Sequence, residues 1–217
     1  MRFYIIFFSF ILISCNDSDK DISEEKETVD TNLLWSEEFD GDNIDISKWN
    51  FELGYGSDGW GNNEWQQYTN SNASIEGGNL VITAKKNGTL GPRDGSITSS
   101  RMTTQGKYEF GPGVRVESKI KLPWGKGIWP AFWALGTDFP TSGWPACGEI
   151  DILEMIGGNP ISHVNNRTVV STSHWGPNWN NRASYGNNLI IQDPLTNNYH
   201  IFELVFNNDF LEMKIDG

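Results

Sequence analysis

Residues Gly148-Glu149-Ile150-Asp151-Ile152-Leu153-Glu154 place three carboxylates in six consecutive positions of an otherwise aliphatic run. Clustered carboxylates repel one another and are costly to desolvate, so a chain does not carry them for packing alone. The intervening Ile150, Ile152 and Leu153 at the same time demand a buried face. A strand satisfies both demands in part. Side chains alternate along a strand, so Glu149 and Asp151 share one face while Ile150 and Ile152 take the other. Strict alternation would then turn Glu154 away from its partners. One β-bulge near Ile152-Leu153 corrects the parity and returns Glu154 to the acidic face. The bland alternative, a strand edge defended by solvated acids, leaves the flanking Ile and Leu without a reason.

The outer acids are about four strand steps apart, roughly 13 Å at Cα. Two Glu side chains leaning inward over the shorter Asp would bring their carboxyl groups to about 5–5.5 Å, the separation of a retaining glycosidase. Glu149, Asp151 and Glu154 are therefore the candidate catalytic residues.

The rest of the chain from Leu33 reads as strands and turns. Asn79–Ala84 follows a Gly77-Gly78 turn, and Lys107–Phe110 and Val114–Leu122 alternate with period two. Phe202–Phe206 and Leu211–Ile215 flank Asn207-Asn208-Asp209, a hairpin signal. No amphipathic helix is evident. Many short strands with Gly-rich turns predict an all-β fold, a two-sheet antiparallel jelly-roll sandwich. The chain holds ten tryptophans. About half are expected in the core and the rest on sugar-stacking surfaces. Asp216-Gly217 is a turn pair with no strand after it, so the reading expects a domain incomplete at its C-terminal end.

The formal net charge of −12 excludes nucleic acid and anionic membrane surfaces as natural partners. Met1-Arg2 precedes an apolar run, Phe3 to Ile13, too short to span a bilayer. Leu12-Ile13-Ser14-Cys15 resembles a bacterial lipoprotein signal, which would make Cys15 the lipidated first residue of the mature protein. Residues 16–30 hold seven acids and two lysines, and 16–32 reads as an acidic, disordered tether. The acids behind Cys15 resemble surface-export signals of some Bacteroidetes lipoproteins. The division is thus 1–15 leader, 16–32 tether and 33–217 catalytic domain, on a monomer held at the bacterial cell envelope, in the outer membrane, through its lipid. With Cys15 used, Cys147 has no disulfide partner and reads as a buried small residue.

Four segments now combine. Trp35–Gly41, Gly59–Gln66, Gly127–Trp133 and Gly148–Glu154 resemble, in order, the signature segments of glycoside hydrolase family 16, and most closely its bacterial laminarinases. The resemblance implies a β-jelly roll with a concave substrate cleft and retaining endo-hydrolysis of β-1,3-glucan by double displacement. It makes Glu149 the nucleophile, Glu154 the acid/base and Asp151 the group between them that tunes both. His174, in His174-Trp175, is similar to a family histidine near the acid/base. Trp129, Trp133 and Trp144 would form an aromatic wall for glucose rings, with Trp129 and Trp133 on one strand face if that strand is regular. Asn62, Asn63 and Glu64 would bond sugar hydroxyls, and Arg101 matches an Arg that reaches the donor sugar. Each has a plainer structural reading: core packing for the tryptophans, turn formation for the two Asn, a solvated surface charge for Arg101. No cofactor is expected for catalysis. Relatives carry a structural calcium, and Glu38 and the Gly78 backbone fall where such ligands lie. The competing readings are a hydrolase of another polysaccharide, such as mixed-linkage β-glucan or an algal galactan, and a β-glucan-binding protein without activity.

Overall fold

The alternating runs become strands in the computed structural model, which describes residues 1–8, 32–157 and 165–217. They are β1 (Phe3–Phe8), β2 (Asn50–Glu52), β3 (Gln67–Tyr68), β4 (Ala73–Glu76), β5 (Asn79–Ile82), β6 (Lys85–Lys86), β7 (Ile97–Ser99), β8 (Arg101–Thr103) and β9 (Val114–Ile120). After them come β10 (Ala131–Gly136), a single helical turn α1 (Phe139–Ser142), β11 (Glu149–Glu154), β12 (Thr168–Trp175), β13 (Ala183–Ile190), β14 (His200–Phe206) and β15 (Leu211–Ile215). Cys15 and most of the tether lie outside the described residues.

The large sheet has seven strands in the order β13-β12-β11-β10-β1-β8-β2, and a three-stranded sheet runs β15-β14-β9. The main core fills the space between them. Ile5, Met102, Phe132, Ala134, Ile150, Ile152 and Leu153 come from the large sheet, and Ile120, Phe202, Leu204 and Phe206 from the smaller. This is the expected jelly-roll sandwich. In β9 the alternation holds residue by residue: Val114, Val116, Ser118 and Ile120 turn inward while Arg115, Glu117 and Lys119 are exposed.

Both sheets of the sandwich are antiparallel, and a two-residue parallel pairing of β3 with β7 lies in a separate small sheet. Two expectations are corrected. Lys107–Phe110 is not a strand. The amides of Lys107 and Tyr108 both bond the Thr104 carbonyl and close a turn, leaving Phe110 a lone bridge to Phe3. Of the tryptophans only Trp49 belongs to the buried core, whereas Trp65, Trp124, Trp129, Trp175 and Trp179 are exposed. Trp35, Trp133 and Trp144 are partly buried, packed against the two core clusters.

The leader reading and the structure also differ. Phe3–Phe8 lies inside the large sheet, pairing antiparallel with β10 along its whole length and with β8 at Ile6 and Phe7. An uninterrupted apolar run suits a central strand, which is covered on both faces. Phe3 and Ile5 enter the main core, and Tyr4 is buried on the opposite face with Leu135 and Cys147. Three such side chains contribute roughly 1.5–3 kcal/mol each, of the order of a domain's whole net stability. A chain beginning at Asn32 should therefore lose its cooperative thermal unfolding transition, measured by circular dichroism, unless another strand fills the slot between β8 and β10.

Candidate active site

Strand β11 carries the site, and its geometry turns on one extra residue. Against β12, Glu149, Asp151 and Glu154 pair with His174, Thr172 and Val170. Against β10, Leu153 pairs with Phe132 but Asp151 with Trp133. Both registers slip by one residue at Ile152, so the bulge lies where parity demanded it. Ile150, Ile152 and Leu153 all enter the core, while Glu149, Asp151 and Glu154 share the outer face. The Ser171 hydroxyl donates to the Ile152 carbonyl over 2.8 Å, satisfying an acceptor that the bulge takes from the ladder.

The approach to β11 is equally constrained. Gly148 has φ 77°, a left-handed conformation that other residues adopt at a cost. At Gly136, opposite, a Cβ atom would stand 1.8 Å from the Cys147 carbonyl oxygen. Only glycine lets β10 approach the turn that delivers Glu149.

His174 faces the acids from β12. Its Nε2 lies 3.2 Å from Asp151 Oδ2 and 3.9 Å from Glu149 Oε1. The imidazole donates to Asp151, and that bond is the main reason its pKa is raised. Burial is the main force on the acids. With the Asp151 charge added, it pushes Glu149 up to about 8 and Glu154 up to about 7. Asp151 is raised as well, again by burial, with His174 opposing. The Trp129 indole N–H donates to the Glu154 carboxylate and opposes its shift.

Trp129 thus touches Glu154 directly. It lies before β10, so it does not share a regular strand face with Trp133 as expected. Trp133 is half-buried against the small outer-face cluster of Tyr4, Leu135 and Cys147, as is Trp144. The Trp144 ring lies 5.9 Å from His174 and 5.1 Å from the exposed Trp179.

Arg101 is not a solvated surface charge. It is 8 % exposed, ion-paired to Glu52, with its guanidinium 4.7 Å from the Trp60 ring and 4.9 Å from the Trp133 ring. Glu52 is a residue that the sequence reading missed. The β2–β8 register sets it opposite Arg101, and only the period-two pair Asn50/Glu52 hinted at it.

Glu64 is bonded within its own loop. Its carboxylate accepts from Tyr68 Oη and Gln66 Nε2, each at 2.6 Å, and from Asn62 Nδ2 at 3.3 Å. Asn63 is exposed nearby. The loop is strained: Asp58, Trp60 and Asn63 have φ of 50°, 54° and 56°, and such outliers cluster at functional sites.

Glu38 and Gly78 are both exposed. Among the described residues the one group of three His, Cys, Asp or Glu ligand atoms is Glu149, Asp151 and His174. Among the described residues, no group of three such side chains forms around Glu38.

A sandwich whose open sheet carries three carboxylates and a histidine, rimmed by aromatics, is the frame of a carbohydrate-active protein. The model of the family "Glycosyl hydrolases family 16" matches residues 61–217, and this chain belongs to that family. It is 36% identical over 200 residues to glucan endo-1,3-beta-glucosidase A1 of Niallia circulans, covering 86% of this chain and 28% of that protein. The chain thus spans little more than a quarter of that relative. The endo-1,3-beta-glucanase (laminarinase) catalytic domain of Thermotoga petrophila superposes with a TM-score of 0.74 at 42% identity, over 85% of this chain and 73% of that one. The laminarinase of a Flavobacterium species superposes with 0.71 at 44% identity, over 85% and 74%.

The burial of Glu149 has a consequence for stability. Below the unfolded-state value, about 4.3, both states are protonated there and the group is neutral to folding. Between that value and about 8 the unfolded chain ionises first, so stability falls as pH rises. Above about 8 the penalty is complete. Glu149→Gln should therefore melt higher than the parent at pH 8–9, by about 2–4 °C per kcal/mol recovered, and the gain should vanish near pH 4, as calorimetry across pH would show.

Proposed function

We propose that this domain hydrolyses internal bonds of laminarin-type β-1,3-glucan with retention of anomeric configuration. The observation that carries the reading is the bulged β11 strand, which sets two Glu on one face with Asp151 between them and His174 opposite. The endo-1,3-β-glucanases among its relatives supply the linkage.

Double displacement needs Glu149 ionised to attack the anomeric carbon and Glu154 protonated to release the leaving oxygen. Glu154 then takes a proton from water as the glycosyl-enzyme is hydrolysed. Burial and the Asp151 charge raise both carboxyls, which favours a site holding a proton on one of them. Protonated His174 and Arg101 both favour the ionised Glu149. Asp151, bonded to His174, holds that cation against the nucleophile. Trp129 and Trp144 are the sugar platforms. Arg101, Trp133 and the Asn62-Asn63-Glu64 loop would bind glucose rings further along the sheet.

The domain should release reducing ends from laminarin faster than from lichenan, agarose or carrageenan, with the β-anomer formed first by proton NMR. Glu149→Ser should lower that rate by at least about 10³-fold and keep binding to laminarin. Faster cleavage of another polysaccharide would overturn the linkage, and a surviving rate in Glu149→Ser the nucleophile.

The lipid anchor at Cys15 belongs to the same proposal. Processing there would withdraw β1 from between β8 and β10, so the anchored form and the β1-containing form are different states of one chain. Mass spectrometry of the protein from bacterial envelopes should find an N-terminal, diacylglyceryl-modified Cys15. An unmodified Met1 terminus would refute the anchor.

A further inference from the structure

Glu149 and His174 are directly opposed across β11 and β12, which holds their Cβ atoms about 4.5–5.5 Å apart. Asp151 completes a triangle in which one ligand atom from each residue lies within 4.8 Å of the others. The group is not purely acidic: it is one imidazole and two carboxylates, a set suited to borderline divalent cations. Four-coordinate zinc takes imidazole nitrogen at about 2.0–2.1 Å and carboxylate oxygen at about 2.0–2.2 Å. Tetrahedral angles then separate nitrogen from oxygen by roughly 3.3–3.5 Å. The His174–Asp151 edge measures 3.2 Å and the His174–Glu149 edge 3.9 Å. The first already fits, and turning the Glu149 side chain closes the second. The backbone register fixes the three residues before any ion arrives, so little ordering cost remains.

We propose that Glu149, Asp151 and His174 form an inhibitory zinc site, which rests, for its effect on activity, on the reading of Glu149 as nucleophile. Zinc replaces the Nε2 proton of His174 and any proton held on the two carboxyls, so protons are released on binding. It takes one oxygen from each carboxylate and keeps water in its fourth position, toward the open face of the sheet. The Glu149 oxygen that would attack the sugar is then committed to the metal. Calcium and magnesium do not substitute. The first takes six to eight oxygen ligands and the second an octahedral, largely hydrated shell, and neither favours imidazole.

The experiment titrates zinc chloride into the full chain against a chromophoric chelator, with calorimetry in two buffers of different ionisation enthalpy. One ion per chain and net release of protons are expected. His174→Ala should weaken binding more than about tenfold, since even an outer partner of a metal ligand is worth that much. His200→Ala should leave the stoichiometry at one, because His200 is engaged elsewhere with Asp216 at 2.7 Å. Zinc should inhibit laminarin hydrolysis competitively, with full recovery on adding a chelator and no inhibition by equal calcium or magnesium. Equal zinc affinity in the parent, Glu149→Gln and His174→Ala would overturn the site. Inhibition that does not compete with laminarin would overturn its inhibitory role. If laminarin is not cleaved at all, the functional reading fails, while the chelator titration still decides the site.

Discussion

One extra residue in β11 governs this molecule. Without the bulge at Ile152, a strand of this sequence could bury its aliphatic side chains or gather its acids, but not both. With it, Ile150, Ile152 and Leu153 anchor the centre of the core, and three carboxylates stand together on the other side of the same backbone. Burial of the aliphatic residues offsets the cost of crowding the charges, and Ser171 caps the carbonyl freed by the irregularity. Fold stability and chemical potential are thus built from opposite faces of six residues.

What the bulge assembles, desolvation sharpens. Glu149 and Glu154 are raised because water is scarce around them and Asp151 is close. His174 is the only described imidazole facing them, and its bond to Asp151 favours its charged form. Removing any member changes the ionisation of the rest, so their contributions are not additive. At the β2–β8 end the pattern is different. Arg101 is held by one carboxylate and two indole faces, a rigid placement that no single pairwise contact would give.

Much of this was legible in the sequence because it rests on local rules. Parity alone located the bulge, and period two predicted β9, β14 and β15 to within a few residues. Short-range turn chemistry was less visible: the closure of 104–108 on Thr104 turned an alternating segment into a bend. Non-local register was not visible at all. Glu52 meets Arg101 only because β2 lies beside β8, and Trp129 reaches Glu154 from a loop, not from the strand it was expected to share with Trp133. The apolar run at Phe3–Phe8 suits both a leader and a central strand, and hydropathy cannot separate the two.

The place of β1 in the sheet has a consequence during synthesis. Phe3 pairs with Gly136 and Phe8 with Ala131, so β1 leaves the ribosome long before β10 exists. At about 5–20 residues per second the wait is roughly 6–25 s. Throughout that interval the segment is apolar and lacks its β10 partner. The order of the strands leaves the N-terminal strand waiting for a partner more than a hundred residues away.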